Sequence, residues 1–150
     1  MIIKTQQQPC PVSCTSTSVA MLASLPAAEV IERFHADYRS GAIGFGGMLK
    51  SLNVPYQAFM SDDDSACLDE PGAYLLTVPS LNLDAQNHNV VLEMHDDGDW
   101  YMHDPCRGRE GKRYYVNTAP QNDLEITLSS GYSIDAFVSM QDLLEIYGAS

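Results

Sequence analysis

Gln8-Pro9-Cys10-Pro11-Val12-Ser13-Cys14-Thr15-Ser16-Thr17-Ser18-Val19-Ala20-Met21-Leu22 is the stretch on which the reading of the chain turns. Pro9 and Pro11 cannot donate backbone hydrogen bonds and keep its first part irregular. Small and apolar residues then run from Cys14 to about Ala23, which predicts a helix starting at or just before Cys14. A thiol at a helix N-terminus sits in the partial positive charge of unpaired N–H groups, which favours the nucleophilic thiolate. Gln8, six residues upstream, is a candidate amide donor to the oxyanion formed when that thiolate attacks a carbonyl. The leading reading is a cysteine hydrolase, weighed against the commonest fate of cysteine, a buried thiol without chemistry.

The rest of the chain sets the frame. Its 150 residues suit one domain, 1–150, large enough to bury a core without metals or disulfides. Eight basic residues against twenty acidic ones leave a formal charge of −12, which excludes a phosphate-binding surface, so no nucleic-acid partner is expected. The acidity clusters in Asp62-Asp63-Asp64, Asp69-Glu70 and Asp96-Asp97-Gly98-Asp99 and reads mainly as solvated loops. No apolar run is long enough to span a bilayer and Met1-Ile2-Ile3-Lys4 is too short for a secretion signal, so a cytoplasmic chain with no membrane insertion is expected. Cys10, Cys14, Cys67 and Cys106 are expected to be reduced, and no metal site or cofactor is implied.

Beyond the first helix, Pro26 suits a first helical position, and Val30, Ile31, Phe34 and Tyr38 recur at helical spacing until Ser40-Gly41. Gly44 to Gly47 read as a flexible turn before a short helix over Met48 to Leu52. Tyr56 to Met60, Ala73 to Val78, Tyr114 to Val116 and Leu124 to Leu128 read as strands. His88 to Met94 and Trp100 to His103 flank an Asp-Gly turn signal and predict a hairpin. Ser139 to Tyr147 reads as a last helix, with Ser139 as cap and Gly148 as terminator. The order predicts an α+β fold, N-terminal helices packed on a mostly antiparallel sheet.

A thiol nucleophile needs a base, and the candidates are His35, His88, His95 and His103. His35 lies in the amphipathic second helix and reads as a surface or packing residue; His95 and His103 suit solvated or supporting roles. His88 opens a strand, where a rigid element would fix its ring at a cleft, and Asp104 could hold the imidazole tautomer. A regular two-residue turn at Asp97-Gly98, however, sets Asp104 opposite Val91 and on the face away from His88. A Cys14-His88-Asp104 triad therefore predicts an irregular hairpin, with a bulge in either strand.

These residues resemble the papain-like peptidases that process bacteriocin and peptide precursors by cutting after a double-glycine leader. That family carries a glutamine six residues before its nucleophile and a Cys-x-x-x-x-Leu-Ala-Met-like helix, similar to Gln8 and Cys14-Thr-Ser-Thr-Ser-Val-Ala-Met-Leu. Its His-Phe-Val-Val-Leu strand is similar to His88-Asn-Val-Val-Leu, and its Asp-Pro sixteen residues further on falls at Asp104-Pro105. The resemblance spans roughly residues 5–118 and departs from the family at Thr15-Ser16-Thr17-Ser18, where Gly-Pro/Ala-Ala-Cys is usual, and at Asn89, where an aromatic is common.

The resemblance implies a papain-like fold and a freestanding cysteine endopeptidase, acting in precursor processing or as an antibacterial toxin effector. Cys14 would be nucleophile, His88 base and acid, Asp104 orienting group and Gln8 oxyanion donor. The partner implied is a peptide or protein with a Gly-Gly motif, with a cognate inhibitor or immunity protein as a further candidate. Gly46-Gly47 would be an internal candidate for self-cleavage, set against a plain flexible turn. Two alternatives stay open: a glutamine deamidase or transglutaminase using the same chemistry on a side-chain amide, and a catalytically silent peptide-binding module, against which stands the presence of all four residues.

Overall fold

Ala73-Tyr74-Leu75-Leu76-Thr77-Val78 is apolar at nearly every position because both faces of this strand are buried. The chain, seen in a computed structural model that describes residues 1–59, 67–128 and 131–148, is organised around it. Three helices come first: α1 (Cys14–Ala23), α2 (Ala27–Ser40) and α3 (Phe45–Ser51). Strands β1 (Gln57–Ala58), β2 (Gly72–Pro79), β3 (Asn87–Met94), β4 (Trp100–His103), β5 (Tyr114–Val116), β6 (Glu125–Thr127) and β7 (Ser133–Ser139) follow, and α4 (Met140–Gly148) comes last.

The main sheet has the order β1-β7-β2-β3-β4 with every pairing antiparallel, while β5 and β6 pair in parallel as a separate ribbon. Among the described residues this is an α+β architecture with four helices and a mostly antiparallel sheet, as expected. Ala73 and Leu75 of β2, with Val91 of β3, face the helices and join Val19, Met21, Leu22 and Phe34 in one core. Tyr74, Leu76 and Val78 face the other way and are covered by Met102, Tyr115 and Leu128. The helices thus cover one face, and the β5–β6 ribbon with its flanks covers the other.

Helix α1 is buried along residues 15–22 and packs against α2, α3, α4 and β3. Its Thr and Ser side chains are small enough for this close surround, and Val19, Met21 and Leu22 supply the apolar contact, each worth about 1.5–3 kcal/mol. An N-terminal arm fastens the helices to the sheet. The Ile2 and Ile3 N–H groups donate to the buried carboxylate of Glu93 at 2.7 and 2.9 Å. Gln6 bridges the α1–α2 turn, donating to Leu25 O and accepting from Ala27 N–H, both at 2.7 Å.

Several expectations are corrected. Gly46 and Gly47 lie inside α3 rather than in a flexible turn, so they are not presented as an extended segment for self-cleavage. A Cβ at Gly47 would come within 2.6 Å of Ile43 Cγ1, so glycine is there for close packing. Pro26 sits at the N-cap of α2 rather than in its first turn. The strand expected from Tyr56 is only Gln57–Ala58, and Met60 and Asp62-Asp63-Asp64 lie outside the described residues. Strand β7 was not anticipated, because a bulge breaks its alternation: Leu75 pairs with Ala136 and Leu76 with Ile134, leaving Asp135 over. The last helix does carry the expected cap, Ser139 Oγ accepting from the Asp142 N–H at 3.1 Å.

Candidate functional site

Cys14 is the first residue of α1, and the preceding Ser13 makes no side-chain cap. Its hydroxyl is turned instead to Cys10, donating to Cys10 O at 3.0 Å. The first-turn N–H dipoles of α1 are therefore left to act on the thiol.

The hairpin that carries His88 and Asp104 shows no bulge in its paired residues, against the expectation, and its departure from a two-residue turn lies in the turn itself. Met94 pairs with Trp100 and Val91 with His103, one residue out of register from a two-residue turn. His95 N–H donates to Asp99 O at 2.8 Å and Gly98 N–H to His95 O at 3.1 Å, closing a three-residue loop. Gly98 supplies the left-handed step at φ 89°. The shift sets position 104 across from Val90, on the same sheet face as His88, so no strand bulge is needed.

His88 and Asp104 meet. His88 Nε2 donates to Asp104 Oδ1 at 2.6 Å, since a carboxylate can only accept. Asp104 is 1% exposed, and its oxygens also accept from the N–H groups of Cys106 at 2.9 Å and Tyr115 at 2.8 Å. With Nε2 taken, Nδ1 is the ring nitrogen left for Cys14. Burial opposes a thiolate at Cys14, but the hydrogen bond and charge of His88 and the Asn89 N–H outweigh it and hold the Cys14 pKa below the ordinary thiol value. Burial likewise pulls His88 down, but Asp104, then Cys106 and Cys14, push its pKa up to about 12. Both shifts favour a thiolate–imidazolium pair over a neutral thiol and imidazole.

Gln8 is in the same cleft, 2% exposed, with its backbone N–H donating to Pro105 O at 2.8 Å. Its side chain donates to Cys10 O at 2.9 Å and accepts from Cys106 Sγ at 3.5 Å. One amide hydrogen remains for a ligand oxygen. All four sequence-derived residues, Gln8, Cys14, His88 and Asp104, are thus gathered, the first three lining one cleft of about 70 Å³ with Asp104 behind His88. A larger cavity of about 690 Å³, between the N-terminal arm, the α1–α2 turn and Tyr147, holds none of them.

The other histidines go elsewhere. His103 is fully buried rather than solvated, hydrogen-bonded to Glu93 at 3.1 Å and to Thr5 at 2.6 Å, and His95 bonds the same carboxylate at 2.5 Å. His35 is half-buried on α2. Burial raises the Glu93 pKa, but His103, the Ile2 and Ile3 N–H groups and His95 outweigh it and bring it down to about 2.

Three features of the site were not read from the sequence. Thr15 donates to Asn89 Oδ1 at 2.5 Å, and the Tyr38 hydroxyl lies 2.9 Å from Thr15 Oγ1. Asn89 in turn donates to Leu76 O and Thr77 Oγ1 at 3.1 and 3.2 Å, bolting the start of α1 to the strand of His88. These are two of the positions where the chain departs from the double-glycine peptidases, and the coincidence of the two departures was the available signal. Cys106 is the second feature; it is buried against Gln8 and His88. Arg109 and Lys112 are the third, on the cleft wall.

His88, Asp104 and Cys106 place nitrogen, oxygen and sulfur donors within 4.8 Å of one another, a set that suits zinc by donor type. Holding an ion would break the His88–Asp104 hydrogen bond and compete with the N–H groups already on Asp104. All four cysteines are free thiols, and among the described residues no helix is long and apolar enough to cross a membrane. No family model, no curated protein and no solved structure matches the chain.

Proposed function

We propose that this chain is a papain-like cysteine endopeptidase that cuts after a Gly-Gly pair in a peptide or protein. The observation that carries the reading is one cleft in which a helix-N-terminal thiol faces an imidazole whose far nitrogen is held at 2.6 Å by a buried carboxylate. The order of parts supports it: cysteine on the first helix, histidine at the start of a strand, aspartate just after the next strand.

The Cys14 thiolate attacks the scissile carbonyl, and the oxyanion is received by the Cys14 N–H and the remaining amide hydrogen of Gln8. One such donor is worth about 2.7–4 kcal/mol in the transition state. The His88 imidazolium protonates the departing amine, leaving a thioester on Cys14. Neutral His88 then takes a proton from water, the hydroxide attacks the thioester, and the Cys14 thiolate leaves beside protonated His88, which restores the starting pair. Asp104 keeps Nδ1 aimed at the sulfur throughout. The Gly-Gly preference is what the resemblance at Gln8, Cys14, His88 and Asp104-Pro105 implies.

Incubating the protein and its Cys14→Ala variant with Gly-Gly-containing peptides, with products read by mass spectrometry, tests this. Fragments whose masses sum to the peptide plus one water, absent with the variant, are expected. An intact peptide in both samples, or one whose only change is an amide turned to an acid, would overturn it.

A further inference from the structure

Cations are scarce in this chain, and four of its eight, Arg107, Arg109, Lys112 and Arg113, fall within seven residues. They lie on the connection between β4 and β5, the same loop that begins with Asp104. Arg107 and Arg113 are exposed and turned to other work. The Arg107 guanidinium lies 5.5 Å over the Tyr114 ring, and the Arg113 backbone is clamped by Asn82, which accepts from its N–H at 2.9 Å and donates to its carbonyl at 3.0 Å.

Arg109 and Lys112 are different: both are half-buried and both line the cleft of Cys14 and His88. Among the described residues every ion pair involves a histidine, so neither cation has a carboxylate partner, in a chain with twenty acidic residues to supply one. The loop holding them is folded into successive turns that start at Asp104, with Arg107 N–H donating to the Asp104 main-chain carbonyl at 3.0 Å, Arg109 N–H to Cys106 O at 3.1 Å and Lys112 N–H to Arg109 O at 3.1 Å. Two unpaired, partly desolvated cations held at the wall of one reactive cleft both gain from an anion bound there. A guanidinium and an ammonium together suit a carboxylate.

We propose that Arg109 and Lys112 form a subsite for a carboxylate of the substrate peptide, so that the enzyme selects acidic substrates although its own net charge is −12. This rests on the peptidase reading of the cleft. The carboxylate comes either from an Asp or Glu side chain close to the Gly-Gly pair or from the free end of the peptide.

The test uses four peptides of one Gly-Gly sequence, with Asp or its isostere Asn beside the pair, each ending in a free acid or an amide. Cleavage is measured as kcat/KM with the native protein, and binding with Cys14→Ala, each alone and with Arg109→Gln plus Lys112→Gln. A preference of about fivefold per cation is expected for the carboxylate-bearing peptide, shrinking with salt and collapsing in the Gln variants. Loss on Asp→Asn assigns the subsite to a side chain; loss on amidation assigns it to the chain end. Equal handling of all four peptides, or a preference that survives both Gln substitutions, overturns the subsite. Charge-selective binding by Cys14→Ala without cleavage by the native protein would overturn the peptidase reading and leave the subsite standing.

Discussion

Replacing Asp104 by asparagine removes the charge behind His88 while keeping its shape. The carboxylate serves three N–H donors, His88 Nε2 at 2.6 Å, Cys106 N at 2.9 Å and Tyr115 N at 2.8 Å, so an amide in its place must turn its NH2 towards one of them. A charge-assisted hydrogen bond is worth about 1.5–3 kcal/mol, and about 1.4 kcal/mol is one pKa unit. The imidazolium partner of Cys14 is therefore weakened by roughly 10- to 150-fold. The sign follows from direction: His88 lies far above its ordinary value, up to about 12, because Asp104 favours its charged form against burial. Its contribution to stability is complete below its unfolded-state pKa and would be lost only as pH climbs towards about 12, so the substitution also costs stability at neutral pH. The assay is the rate of Cys14 alkylation by iodoacetamide against pH, followed by peptide mapping, with circular dichroism to confirm folding. The acid limb of the profile is expected to move up by about one to two units in Asp104→Asn. A folded variant with an unmoved limb would refute the coupling of Asp104 to the thiol, and His88→Gln, which removes the proton acceptor itself, should move the limb at least as far.

Three further outcomes follow from the same structure. Thr15→Val leaves Asn89 Oδ1 without its 2.5 Å donor and should cost about 1–3 kcal/mol in urea unfolding; after Asn89→Ala the same substitution should cost less, and strict additivity would count against the bolt. Glu93 is fully buried and its pKa lies near 2, so its contribution, about 3 kcal/mol from a fall of more than two units, is present above the ordinary carboxylate range and lost as pH falls towards 2. Unfolding titrations of the native protein and Glu93→Gln between pH 5 and pH 2.5 should converge, and parallel curves would contradict this. Gly98→Ala meets no atom within 4 Å but must hold φ near 89°, so a loss of about 1–2 kcal/mol is expected from backbone strain alone, read from the urea midpoint.

The helix with Cys14 at its mouth was legible because a proline-broken stretch gives way abruptly to small and apolar residues, and α1 begins at Cys14. The hairpin was legible from Asp97-Gly98, but its register was not. One residue of turn length decides which face Asp104 takes, and Asp-Gly is compatible with two- and three-residue loops. Strand β7 stayed hidden because the bulge at Asp135 brings Ala136, Phe137 and Val138 together without alternation. Gly46-Gly47 looked like a turn because glycine is a poor helix former, yet Ile43 and Tyr56 crowd both positions and exclude larger residues. Gln8, Cys14, His88 and Asp104 could be picked out by residue type and spacing. Arg109 and Lys112 could not, since a local excess of cations becomes informative only when two of them are seen to line the cleft of the thiol with no carboxylate partner among the described residues.

The claim at the centre of the account is that Cys14 is a thiolate at neutral pH. Limiting iodoacetamide at pH 7, with the modified cysteine mapped by mass spectrometry, tests it against the exposed Cys67, whose pKa is raised chiefly by its hydrogen bond to Asp69. Access alone favours Cys67, whereas a thiolate held by His88 favours the more buried Cys14. Labelling of Cys14 ahead of Cys67, lost in His88→Gln, is the predicted result. Labelling of Cys67 first, with Cys14 unmodified, would contradict it.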